Sequence, residues 1–207
     1  MPVKHVFEAL LDSDLFGGPQ SDSRAVAILL QQANKCVSTL VKLEMSEEGA
    51  VSAINRTLKS EPFASCESPI EKLMMAGLVF ADWYPFLSIP AAVMPRGGAM
   101  PEGDLIIAPQ FEFGRYRLDF MVFGKDERGN QKWVNVECDG DEFHNSTKAQ
   151  WDADRERDKY LLGANIEVIR FSGSELYNDA TGCAVEVVDE FLRWWWRGWS
   201  EREALAA

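Results

Sequence analysis

An α/β fold, a mixed sheet flanked by helices behind a helical N-terminal segment, is predicted by three observations. From Ser68 onward the periodicities read helix, three strands, helix, strand, helix. A strand, crossover helix and returning strand place parallel neighbours in a sheet that hairpins otherwise make antiparallel. The chain of 207 residues is also 46% apolar, enough for a sizeable core and too much for a disordered or disulfide-scaffold class.

The elements follow in order. After Gly17-Gly18-Pro19, Ser21, Asp22 and Ser23 offer N-caps to a helix carrying Val26, Leu29, Leu30, Val37, Leu40 and Val41 at helical spacing. A shorter helix is expected from Ser46 to Leu58, ending before Pro62, so residues 1–62 read as a helical extension and 63–207 as the domain with the chemistry. Ser68-Pro69-Ile70-Glu71 starts the next helix with Ser as N-cap, Pro at N1 and Glu at N3 of a capping box. Pro90 to Gly103 reads as loop. Strands are expected over Leu105 to Phe113, Tyr116 to Phe123 and Trp133 to Cys138, the last two joined by a hairpin-like loop from Gly124 to Asn130. A helix from Thr147 to Leu162 should end near Asn165, whose side chain tolerates the left-handed C-cap conformation. Ile166 to Phe171 alternates as a strand, and Cys183 to Trp199 closes the chain as an amphipathic helix with Val185, Val188, Leu192, Trp195 and Trp199 on one stripe.

Charge and targeting narrow the function. Lys and Arg number 21 against 33 Asp and Glu, a net charge of -12 that argues against diffuse electrostatic binding of nucleic acid. Met1 to Asp14 meets acids at Glu8 and Asp12 before any long apolar run, and no stretch approaches the roughly 18 apolar residues of a membrane span. Cys36, Cys66, Cys138 and Cys183 form no CxxC pair and read as reduced thiols. A cytoplasmic protein with no membrane association is expected.

The chemistry concentrates after Arg117. Asp119 is a lone carboxylate in an apolar strand, where burial is costly without a cation or metal; the alternative is an ion pair with Arg117 or Arg157. Glu137 and Asp139 share one face of the strand that hairpins back beside it, with Gly140 allowing the chain to turn. Three converging oxygen donors suit magnesium or manganese. His144, one of two histidines, stands close enough in sequence to move a proton near neutral pH. Glu71 reads equally as a site acid or as the capping-box member. The acids from Asp152 to Asp158 read mostly as a solvated face, with Arg157 singled out, and Arg170 reads as a partner of a site carboxylate.

Taken together, Glu71 in Ser-Pro-Ile-Glu, Arg117-Leu-Asp119-Phe120, Glu137-Cys-Asp139-Gly140 with His144, Asp154 to Asp158, and Val168-Ile-Arg170-Phe171 resemble the PD-(D/E)XK nuclease superfamily. Within it they are most similar to endonuclease-like domains related to the very-short-patch mismatch-repair endonucleases, over about residues 68 to 177. The resemblance implies a restriction-endonuclease-like fold and a magnesium- or manganese-dependent DNA endonuclease, acting in repair or in defence against foreign DNA. Asp119, Glu137 and Asp139, with the main-chain carbonyl of Cys138, would hold metal; His144 would transfer the proton, Glu71 would reach the metal or its water, and Arg157 and Arg170 would contact phosphate. Asp139 stands where the superfamily usually has lysine, which keeps a second reading open: a nuclease fold that binds nucleic acid or a partner protein without cleaving.

Two features remain. The Trp-rich stretch, Trp194 to Trp199, reads mainly as core packing, with Trp194 and Trp196 offered to a protein partner, a second subunit or bases; residues 1–62 are the other candidate for a partner or homodimer contact. Between Glu137 and Asp158, eight acids face three bases, so part of the acidity is concentrated where a divalent cation would sit.

Overall fold

The computed structural model describes residues 22–81, 91–93, 105–126, 129–140 and 148–206, with side chains only as far as Trp194 in the last helix. Four helices come first: α1 (Ser23–Lys42), α2 (Glu47–Leu58), α3 (Glu61–Ser65) and α4 (Pro69–Ala81). The strands are β1 (Ala91–Val93), β2 (Leu105–Phe113), β3 (Tyr116–Lys125), β4 (Gln131–Asp139) and β5 (Ile166–Ser172), with α5 (Lys148–Gly163) crossing from β4 to β5 and α6 (Gly173–Ala206) closing the chain. The sheet order is β1-β2-β3-β4-β5; β2, β3 and β4 form an antiparallel meander, and β1 and β5 join its edges in parallel.

Local chemistry sets these boundaries. Asp22 caps α1, its Oδ1 accepting the N–H of Arg24 at 3.0 Å and of Ala25 at 3.1 Å, while the phenol of Tyr177 on α6 donates to its other oxygen. Leu29, Val37 and Leu40 are buried as the spacing predicts, but Val41 is exposed and the inward stripe runs instead through Ala25, Ala33 and Cys36. Ser46 caps α2, and Ala50, Ile54 and Leu58 line its inner face at four-residue spacing. Pro62 lies in the first turn of α3, where its missing N–H costs nothing, and Phe63 behind it is fully buried. This short helix is absent from the sequence-based reading, which stops at that proline.

Every residue of α4 from Ile70 to Leu78 is buried, so it is the central helix of the molecule. It packs with α1, α2 and α6 against one face of the sheet, in a core that includes Leu29, Ile54, Phe63, Leu73, Met74, Phe120, Val134 and Phe191. The opposite face, with Ile106, Ala108, Leu118, Met121 and Phe123, lies under Leu161 of α5. Residues 23–58 thus bury their apolar side in the same core as the sheet.

Three expectations need correction. Ala91–Val93, inside the Pro/Gly-rich stretch read as loop, pairs in parallel with Leu105, Ile106 and Ile107. The last helix begins ten residues earlier than the spacing predicts, at Gly173; Ser172 and Glu175 form a reciprocal cap there, and the backbone breaks at Asp179 (φ -152°), whose Oδ1 accepts the Gly182 N–H at 2.9 Å and starts a second helical segment. Its inward face carries Ala184, Val187, Val188 and Phe191 rather than Val185 and Leu192, which are half-buried; the side chains of Trp195, Trp196 and Trp199 lie outside the described residues. Asn165, by contrast, ends α5 at φ +59°, as expected. Among the described residues no helix is long and apolar enough to cross a membrane.

The register shows one irregularity that matters for function. Ile106 pairs with Phe123 and Ala108 with Met121, all on the α5 side; Ile107 pairs with Val122 on the α4 side. Strict alternation would put the Phe111–Leu118 pair on the α4 side, yet both pack on the α5 side. The step falls at Gln110, whose φ of +51° is left-handed, and opposite it at Asp119. Both strands change face there together, so pairing resumes without an extra residue.

At Gly77 α4 packs closely against α6. A Cβ there would stand 2.7 Å from the Ala180 carbonyl oxygen and 2.8 Å from the Ala184 Cβ. Glycine to alanine within a helix ordinarily stabilises by about 0.5–1 kcal/mol. Here overpacking reverses the sign: Gly77→Ala should destabilise by about 1–3 kcal/mol in urea unfolding, and a gain in stability would contradict the described packing.

Candidate active site

The face-changing step brings three carboxylates to one end of the sheet. Asp119 stands at the step in β3, and its Oδ2 accepts the main-chain N–H of Cys138 on β4 at 2.8 Å. Glu137, the residue before Cys138, is only 4% exposed. Glu71 reaches the same corner from the first turn of α4: its Oε2 accepts Gln110 Nε2 at 2.7 Å and the Glu67 N–H at 2.8 Å, while Ser68 Oγ accepts the Glu71 N–H at 3.2 Å. The capping box therefore forms, with its return bond landing one residue before the N-cap, and the same carboxylate also ties the helix to the strained residue opposite Asp119.

Each acid is compensated differently. Glu137 has one oxygen on Asn135 Nδ2 at 2.6 Å and the other on Arg157 of α5 at 2.8 Å. Burial nonetheless lifts its carboxyl above the usual range, with Arg157 and Asn135 pulling it back. Among the described residues no cation forms an ion pair with Asp119: Arg117 pairs with Glu67 at 2.7 Å instead. Burial, and then the negative charge of Glu137, push Asp119 up to about 7, offset only in part by the Cys138 N–H and the charge of Arg157.

Asp139 lies on the same strand face as Glu137 but keeps other company. Arg170 Nε is 3.9 Å from its Oδ2, while Arg170 grips Asp158 with two N–H bonds at 2.5 and 3.2 Å. Burial raises the Asp139 carboxyl, and Arg170 and Arg157 oppose the rise. The structure thus draws Asp119, Glu137, Glu71 and the Cys138 main chain into one group, and Asp139, Arg170 and Asp158 into a second, with Arg157 joining the two. His144 lies outside the described residues, as do Asp141 and Glu142. Among the described residues, no three His, Cys, Asp or Glu side chains stand close enough to form a ready-made metal cage. Cys66 and Cys138 are buried beside the carboxylates, and burial drives both thiols upward, Cys66 to about 12, so both stay protonated.

Two supporting residues escape the sequence-based reading. Asn135 is fully buried two positions before Glu137, on the same strand face, and that polar i, i+2 pair in an apolar strand was the available signal. Gln110 carried no signal beyond being polar in a strand, because its left-handed backbone is set by tertiary packing.

Residues 99–192 match the family model described as REase_MTES_1575. This is a restriction-endonuclease-like family, and the fold described above is restriction-endonuclease-like. The matched segment contains Asp119, Glu137, Asp139, Arg157 and Arg170; Glu71 precedes it. No curated protein and no solved structure gives a significant match. The family match supports a nuclease.

The raised Asp119 carboxyl has a consequence for stability. A carboxyl titrating near 7 in the fold and near its ordinary value when unfolded binds its proton more tightly in the fold, so stability falls as pH rises from about 4 to 7 and stays low above. Asp119→Asn, measured in chelator, should therefore raise stability on the order of 2 kcal/mol at pH 8 and change it little at pH 4. A pH-independent difference would show that Asp119 is not held near neutrality.

Proposed function

We propose that the protein is a divalent-metal-dependent endonuclease that hydrolyses phosphodiester bonds of DNA. The observation that carries the reading is the Asp119–Glu137 pair: two carboxylates on neighbouring strands of a restriction-endonuclease-like sheet, both poorly solvated, with the charge of Glu137 adding to the cost of ionising Asp119. Hard oxygen donors in mutual repulsion fit magnesium or manganese in charge and chemistry. Asp119 and Glu137 would hold the ion, with the Cys138 carbonyl beside them and Asp139 completing the set. Bound there, the metal would polarise the scissile phosphate and lower the pKa of a water.

The chain's own groups do the rest. Cys138 N–H and Asn135 orient the two carboxylates, leaving little reorganisation at the moment of reaction. Arg157 pairs with Glu137 and Arg170 lies 3.9 Å from Asp139, and guanidiniums so placed can neutralise charge growing on phosphoryl oxygens. His144, five residues past Asp139, is placed in sequence to carry the proton, in the manner of the very-short-patch relatives that the Glu137-Cys-Asp139-Gly140 motif resembles. With a net charge of -12, the protein should hold DNA in a metal-dependent and salt-sensitive way.

One observation favours a second reading, a fold that binds nucleic acid without cutting it: Arg157 already occupies Glu137 Oε2. Incubation with supercoiled plasmid separates the two. The nuclease reading predicts nicked or linear product with magnesium or manganese, none in chelator, and at least about a hundredfold slower cleavage by folded Asp119→Ala and Glu137→Gln. Wild-type cleavage by Asp119→Ala would contradict the site, and no cleavage with either metal would favour the binding reading.

A further inference from the structure

Beside the carboxylates lies a cavity of about 310 Å³ between α5 and the ends of β4 and β5. Three carboxylates, from Asp139, Asp154 and Asp158, and three guanidiniums, from Arg155, Arg157 and Arg170, line it, and one aromatic ring, Trp151, forms a wall. Trp151, Asp154, Arg155 and Asp158 follow the i, i+3, i+4, i+7 spacing of a single helical stripe, so the cavity presents one coherent face of α5. Asp139 and Arg157 belong to both cavity and carboxylate corner, which makes the two contiguous.

The lining chemistry discriminates among occupants. Its three carboxylates and three guanidiniums balance, with Arg157 held by Glu137 and Arg170 by Asp158, so net charge alone does not select an occupant. Closely spaced acceptors and donors beside an aromatic face instead match a neutral planar group bearing amino and carbonyl edges. Trp151 is 61% exposed on an otherwise strongly polar helix, so its ring contributes little to the core and leaves a face open for stacking. The volume is at the low end of the roughly 300–1,000 Å³ of small-molecule sites, room for one nucleotide and not for a duplex.

We propose that this cavity takes one unpaired nucleobase of the substrate strand, stacked on Trp151 with its edge hydrogen-bonded to the surrounding carboxylates and guanidiniums. The inference rests on the nucleic-acid reading of the adjacent site and deepens it: paired bases have both faces and edges occupied, so the enzyme would engage single-stranded or locally opened DNA next to the scissile phosphate.

Binding in chelator tests this apart from cleavage. By fluorescence anisotropy, the full-length protein should bind a short labelled single-stranded oligodeoxynucleotide more tightly than the matching duplex or the same strand made abasic. Trp151→Ala should weaken single-strand binding about tenfold or more, with duplex binding unchanged, and Trp151→Phe should restore most of the loss. An unchanged Trp151→Ala affinity, equal binding of the abasic strand, or no rescue by phenylalanine would each overturn the proposal. Plasmid cleavage lost in Asp119→Ala alongside normal single-strand binding by Trp151→Ala would sink this inference and leave the nuclease reading standing. The Trp151 pattern in a protein that never cleaves would do the reverse.

Discussion

The repulsion between Asp119 and Glu137 is the constraint around which the rest of the structure is arranged. Two carboxylates on adjacent strands share a corner with little water, and neither can ionise there without help. Glu137 is answered by Arg157 and Asn135, so its charge is largely contained. Among the described residues Asp119 is answered by one main-chain N–H and by the charge of Arg157, and its carboxyl still titrates near 7. A structure that compensates one acid in part and leaves its neighbour shorter still of positive charge is poised to accept a cation, which is how the chain's acidity and a phosphate substrate become compatible.

The geometry that creates this corner is remote from the acids in sequence. The left-handed backbone at Gln110 turns β2 and β3 over together, placing Asp119 at the step and not squarely on either face of the sheet. Glu71 holds Gln110 from the start of α4, and α4 is in turn fixed by close packing on α6 at Gly77 and by the buried stripes of α1 and α2. The N-terminal helices therefore support the site through the core without contributing a reacting group. A partly buried cluster at the start of β4, Lys132 with Glu167 at 3.0 Å and Glu190 at 2.6 Å, ties β4 to β5 and α6 and helps to fix the strand that carries Glu137.

Much of this was legible in the sequence, for identifiable reasons. Strands such as Tyr116–Lys125 announce themselves because alternation and β-branched or aromatic content agree, and α4 because cap, proline and apolar run coincide. Asp119 and Glu137 stood out as charges in apolar strands. What stayed hidden depended on partners distant in sequence: Ala91–Val93 is a strand only because Leu105–Ile107 offers it an edge, and Gln110 is left-handed only because the sheet turns there. The kink at Asp179 was missed for a different reason, since a capping aspartate resembles any other acid until its helix is seen to restart. Trp151 was overlooked among the eight charged residues of α5, although an aromatic on so polar a helix is the kind of exception that marks a contact surface.

Metal-dependent thermal stability probes the central claim most directly, because it reads the Asp119–Glu137 corner without requiring turnover. Manganese or magnesium added to metal-free protein should raise the melting temperature of the wild type progressively with concentration, as binding to the folded state requires. Asp119→Asn should start higher at pH 8 and gain little from either ion. An equal rise in wild type and variant, or no rise in either, would contradict a cation site built on these two carboxylates.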